Sequence, residues 1–137
     1  MHRTLGCLVI AMAATSGCSD GAPVPPTSDA PPAPNTVTIS MSEWRFGPAA
    51  LRLEAGTQAT IALRNDGAIV HEWALLHEAI ESENAFQDEL VIAGRSVNAA
   101  AIGTITFTVP AAGDYLFICP IPGHFSQGMF GTITATP

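Results

Sequence analysis

The chain has 137 residues, with five basic side chains, all arginine, against twelve acids and a formal net charge of −7. That length holds one domain with a modest core, and the acidic balance excludes nucleic acid or an anionic membrane surface as the main partner. Beyond the N-terminal segment, no stretch approaches the ~18 unbroken apolar residues of a spanning helix.

The chain opens with MHRTLGCLVIAMAATSGC, which reads as an export signal over residues 1–17. Arg3 supplies the positive end and residues 5–14 the short apolar run. Thr15, Ser16 and Gly17 place small residues ahead of Cys18. Small residues before a cysteine resemble a bacterial lipobox, which implies that Cys18 carries lipid and forms the mature N-terminus. Thr15 departs from that pattern, which usually has an aliphatic residue there; ordinary signal cleavage is the alternative. Residues 18–35 form a linker rich in proline and alanine, with prolines at 23, 25, 26, 31, 32 and 34. Such a segment favours extended polyproline II, reaching roughly 50 Å at about 3.1 Å per residue. With a lipid at Cys18 it would tether a domain clear of the membrane.

From Thr36 to Pro137 the pattern is β. TVTISM, LRLEAG and QATIALRN alternate apolar and polar residues, and Asn65-Asp66-Gly67 is a turn signal of hairpin type. IVHEWALL follows. GTITFTVPAAGDYLFIC reads as two strands interrupted at Pro110, and GTITAT closes the chain. Short strands with turns about every ten residues predict an all-β sandwich of some seven strands. Phe46, Trp73, Phe107 and Phe117 are expected in its core. Only HEAIESENAFQDELVIAGR, residues 77–95, breaks the alternation. Ile80, Phe86 and Leu90 would line one side of a short, imperfect helix. Glu78, Glu81, Glu83, Asp88 and Glu89 would form either a solvated face or a surface that steers a basic partner.

The chemistry concentrates in CPIPGHFSQGM, which carries Cys119, His124 and Met129 on one loop. Pro120 and Pro122 limit the loop's freedom while Gly123 and Gly128 let it turn tightly, which favours a preformed site. Cys7 leaves with the signal, so Cys119 is the lone thiol of the exported domain unless Cys18 stays free. A lone thiol in an oxidising compartment is a liability unless buried or bound to metal. A bridge to Cys18 would close a long loop with no packing reason. His71, just after the Asn-Asp-Gly turn, is the best candidate for a fourth ligand, whereas His77 reads as a surface histidine. Structural zinc favours more thiolates or histidines and rarely recruits a thioether. Haem attachment and a binuclear copper centre each need a second cysteine. Two imidazoles, one thiolate and a weak methionine fit a mononuclear copper site that holds both oxidation states.

MSEWRFGP, LRLEAG, NDGAIVHEW and above all YLFICPIPGHFSQGMFGTI resemble the cupredoxins, the plastocyanin/azurin family of blue-copper proteins. The loop spacing is similar to the auracyanin-like and rusticyanin-like branches. The resemblance implies a Greek-key β-sandwich of about seven to eight strands over residues 36–137, with a short helical or irregular acidic insertion. It implies one copper ion, Cu(I) or Cu(II), held equatorially by His71, Cys119 and His124 and axially by Met129. It implies a one-electron carrier, not an enzyme, that works as a monomer between redox proteins such as cytochromes or membrane oxidoreductases. Ile121, Pro122 and Phe125 would form the docking patch around a surface imidazole of His124. The expected location is the periplasm or the outer face of the cell membrane. Two features depart from the family pattern. Glu72 stands where plastocyanin-type members have asparagine, which puts the hydrogen bonding around Cys119 in question, and the acidic insertion is not general. Copper delivery or storage is the alternative role, disfavoured because a thiolate enclosed by a proline-rich loop retains its metal.

Overall fold

The period-two apolar pattern of the sequence becomes the buried faces of two packed sheets. A computed structural model describes residues 35–137; the expected signal segment, Cys18 and the linker up to residue 34 lie outside the described residues. The strands are β1 (Thr36–Ser42), β2 (Arg45–Gly47), β3 (Ala50–Glu54), β4 (Gln58–Asn65), β5 (His71–Leu76), β6 (Val91–Val97), β7 (Ile102–Thr108), β8 (Gly113–Ile118) and β9 (Phe130–Thr136). One sheet has the order β2-β1-β4-β7 and the other β3-β9-β8-β5-β6. β1 runs parallel to β4 and β3 parallel to β9, while the remaining pairs are antiparallel.

Alternation fixes which side chains face inward. β4 buries Ala59, Ile61 and Leu63, β3 buries Leu51 and Leu53, and β9 buries Ile133 and Ala135. Each such Leu or Ile contributes about 1.5–3 kcal/mol when fully buried. Phe46, Trp73, Phe107 and Phe117 all lie in the core, as expected. Trp73 packs 5.7 Å from Phe107 and 5.8 Å from Phe117, and Phe46 meets Phe117 edge-on at 5.2 Å. Gly131 lets β9 pass beneath this cluster, because a Cβ there would collide with the Phe117 ring and the Ala49 carbonyl.

The structure revises three local expectations. Residues 77–90 form no α-helix but two 3-10 turns, Glu83–Ala85 and Asp88–Leu90, and residues 91–95 belong to β6, which pairs with β5. Acidic repulsion within so short a segment opposes a regular helix, yet Ile80, Phe86 and Leu90 still pack inward against Ala74, Leu76 and Ile118. That cover explains why HEWALL is apolar on both faces: β5 is buried on the core side and again under the excursion. Second, the described residues form nine strands, the three-residue β2 and also β6 being additional to the seven read from the sequence. Third, Asn65-Asp66-Gly67 does not close a hairpin. β4 and β5 lie in different sheets, so residues 66–70 cross the end of the sandwich. Asn65 keeps the inward phase of β4, and its buried side chain donates to the Ile69 carbonyl (2.8 Å) and the Val97 carbonyl (2.9 Å) while accepting from Gly67 N–H (2.9 Å). Asn35, the last linker residue by composition, accepts from Glu54 N–H at 3.0 Å and so is tied to the turn after β3.

Candidate metal centre

Antiparallel pairing brings the predicted donors together. β5 pairs with β8 through Ala74 opposite Ile118 and Leu75 opposite Phe117, so the start of β5 lies beside the end of β8. His71 opens β5, and Cys119 directly follows β8. The loop from 120 to 129 then folds back on itself. Cys119 N–H donates to the Met129 carbonyl (3.0 Å), Met129 N–H to the His124 carbonyl (3.1 Å) and His124 N–H to the Ile121 carbonyl (3.0 Å). A 3-10 turn, Phe125–Gln127, ends at Gly128 in the left-handed conformation (φ 100°), and Gly123 is also left-handed (φ 87°). Both glycines allow backbone angles that other residues resist, as the sequence led us to expect.

The ligating atoms of His71, Cys119 and His124 all lie within 4.8 Å of one another, and all three residues are buried. His71 Nδ1 is 3.3 Å from His124 Nδ1, and Cys119 Sγ is 3.2 Å from His124 Nδ1. His124 Nδ1 thus faces both the thiol and Nδ1 of His71. Met129 is fully buried on the same loop, held through the backbone bonds to His124 and Cys119. His77 is exposed, its ring 3.2 Å from the Glu89 carbonyl, and stands apart from the cluster.

The electrostatics suit a cation. Burial lowers the pKa of His71, helped by the neighbouring His124 and opposed by Glu43. Burial also lowers that of His124, against Glu83 and Glu43. Both rings thus favour the neutral form that ligates metal. Burial pushes the Cys119 thiol up, while the N–H groups of Glu72 and Ile121 act in the opposite direction. Those donors stabilise a thiolate, and a bound cation supplies the charge that removes its proton. The Glu72 N–H lies 3.4 Å from Cys119 Sγ, so the bond to sulfur comes from the backbone. The residue that departs from the family pattern keeps this contact whatever its side chain. Glu72's own carboxyl is raised by burial and by Asp88.

Three residues of the site carry no sequence signal that singled them out. Glu43 and Trp44, in the turn between β1 and β2, sit over the histidines. Glu43 Oε1 accepts from Ala68 N–H at 2.7 Å and lies 3.7 Å from His71 Nε2. Backbone N–H groups, its own first and Ala68's next, hold the Glu43 carboxyl below its usual range. The Trp44 ring centroid is 4.6 Å from that of His124 and 6.5 Å from that of His71, both edge-on. From the acidic excursion, Glu83 accepts from Gly123 N–H, directly before His124. His124 itself is only 5% exposed; the sequence led us to expect a more open imidazole. Ile121 and Phe125 are half-buried and Pro122 is exposed. Ile69 (40%) and Val70 (41%), on the crossover into His71, are exposed apolar residues that no motif or alternation marks.

A buried His-Cys-His cluster at the end of a two-sheet β-sandwich, with a methionine on the same loop, defines a mononuclear metal protein of soft-donor type. Residues 7–135 match the family described as the cupredoxin-like domain, and the chain belongs to it. The copper-resistant cuproprotein CopI of Rubrivivax gelatinosus is 34% identical over 113 residues, 77% of this chain and 68% of that protein. Auracyanin-B of Chloroflexus aurantiacus is 54% identical over 41 residues, 30% of this chain, and the match spans only 17% of that protein's length. The dithionite-reduced auracyanin of Roseiflexus castenholzii has a similar structure, with a TM-score of 0.67 and 25% identity over 75% of this chain and 98% of that one. The cofactor is accordingly a copper ion, and the donor set fits it: two neutral imidazoles and a thiol supported by N–H groups are the soft and borderline ligands that copper takes.

Proposed function

We propose that this protein is a type 1 copper electron carrier, in which His71, Cys119, His124 and Met129 would hold the metal. The observation that carries the reading is the buried thiol clustered with two imidazoles, one of them on the same self-bonded loop. When bound, copper supplies the one-electron couple. The chain would hold these donors in a single arrangement, so that little would have to reorganise on transfer. Loop hydrogen bonds, the Glu72 N–H to sulfur and the burial of all three donors provide that rigidity. The narrow exposed edge of His124, bordered by Ile121, Pro122 and Phe125, is the route by which an electron enters or leaves, and redox proteins dock on that patch. The protein acts outside the cytoplasm, exported by residues 1–17 and tethered through Cys18 and the linker.

Copper delivery or storage is the second reading, favoured by the 34% identity to a protein named for copper resistance. Enclosure of Cys119 argues for retention and hence for the carrier. Titration with Cu(II) should produce an intense visible thiolate-to-copper band, absent in Cys119→Ser, with reversible voltammetry. A colourless protein, or a Cys119→Ser variant that keeps the band, refutes the site. Ready surrender of copper to a chelator without a reversible couple replaces the carrier with the delivery role. Mass spectrometry of the mature N-terminus tests the lipid at Cys18.

A further inference from the structure

Behind the cluster, the second ring nitrogen of His71 is buried and has no hydrogen-bond partner. A ligating histidine normally donates its other ring N–H to an acceptor that fixes the ring and tunes the metal. The nearest carboxylate is Glu43 Oε1 at 3.7 Å. Glu43 comes from the β1–β2 turn, far in sequence from every proposed ligand, and is 34% exposed. Its Oε1 is not free to swing away, since Ala68 N–H donates to it at 2.7 Å. Gly67 supplies a second, independent observation. A Cβ at Gly67 would lie 2.6 Å from Glu43 Oε1 and 2.9 Å from His71 Nε2. The space between carboxylate and imidazole is thus kept by the absence of a side chain. Gly67 shows no positive φ, so its place in the crossover is a matter of room rather than of turn geometry.

We propose that Glu43 is a positioning residue of the copper site: its carboxylate accepts the Nε2–H of His71, orients that ring, and places a negative charge behind it. The proposal rests on the copper reading above. A short movement of either group closes the 3.7 Å separation to hydrogen-bond distance. An anion at this position favours the more positive, oxidised site over the reduced one and so lowers the reduction potential. Glu43→Gln keeps the length of the side chain and an acceptor for Ala68, but removes the charge.

The test uses the copper-loaded protein. Expected for Glu43→Gln is a retained visible band with the Cu(I)/Cu(II) equilibrium moved toward Cu(I) by roughly tenfold, within the range Coulomb's law gives for a unit charge one imidazole ring away between the dielectric of water and that of a protein surface. Gly67→Ala, which wedges a methyl group into the gap, should shift the potential in the same direction. A variant that keeps the band and the wild-type potential overturns the proposal. A second measurement needs no variant. In the reduced, diamagnetic protein, the His71 Nε2–H should appear as a resolved proton in nitrogen-edited NMR that exchanges far more slowly than the ring protons of exposed His77. Exchange as fast as that of His77 refutes the proposal even if Glu43→Gln fails to fold. A wild-type protein that binds no copper sinks the copper reading itself, an outcome distinct from an unchanged potential.

Discussion

Asn65 lies at the point where the fold delivers His71 to the site, and its removal should be costly. The side chain is 1% exposed and makes three hydrogen bonds, to the Ile69 and Val97 carbonyls and from Gly67 N–H. Val97 is the β6 residue that pairs with His71, so Asn65 clamps the crossover on both sides of that ligand. Asn65→Ala removes about 0.5–1.5 kcal/mol per bond and leaves buried backbone groups unsatisfied, for a total of about 3 kcal/mol. In a domain of this size that corresponds to a fall in Tm of roughly 12–24 °C. Denaturant unfolding of the metal-free protein should show a lower midpoint with an unchanged slope. Asn65→Asp is a sharper probe, because it keeps the acceptor for Gly67 but turns a carboxylate oxygen toward two carbonyls. It should be at least as unstable as the alanine variant at neutral pH. Its folded-state pKa is raised above the unfolded value, so the folded protein binds the extra proton. Its stability should therefore rise as pH falls from the folded pKa toward the unfolded value of about 3.9. An Asn65→Ala variant within about 0.5 kcal/mol of wild type, the range of an ordinary surface substitution, would refute the clamp.

Two further outcomes can be checked with the copper-loaded protein. Trp44→Ala removes the ring that covers both imidazoles; the visible band should persist while copper is lost to a competing chelator several-fold faster, measured by the decay of the band. Glu83→Ala deletes the acceptor of Gly123 N–H. A hydrogen bond to a charged group contributes about 1.5–3 kcal/mol, so the variant should lower stability by up to that amount and increase amide exchange at Gly123 and His124. Unchanged exchange there would refute a hold of the Glu83 carboxylate on the ligand loop.

Much of the fold is legible in the chain because alternation is a local property. The inward phase of β3, β4 and β9 follows from period two, and the same phase points Asn65 inward together with Ile61 and Leu63. That signal was present, but the Asn-Asp-Gly turn pattern masked it, since a hairpin turn would expose the residue. The double-sided apolar run of β5 likewise implied cover on its outer face, though not that an acidic segment supplies it.

Donor types and their order are written in the chain: a thiol, an imidazole and a thioether on one glycine- and proline-constrained loop, with an upstream histidine. Those are facts of residue chemistry and short spacing, and they already excluded haem attachment and a binuclear centre. What surrounds the donors depends on how the strands pack. The pairing of β5 with β8 and the crossing of residues 66–70 between sheets set His71 against Cys119 and His124. The same end of the sandwich receives Glu43 and Trp44 from one turn and Glu83 from a loop. No periodicity marks such residues, because their place depends on contacts between segments distant in the chain. The physical reason is that local pattern selects which face of a strand is buried, whereas the environment of a site is set by which strand ends the sheets bring together.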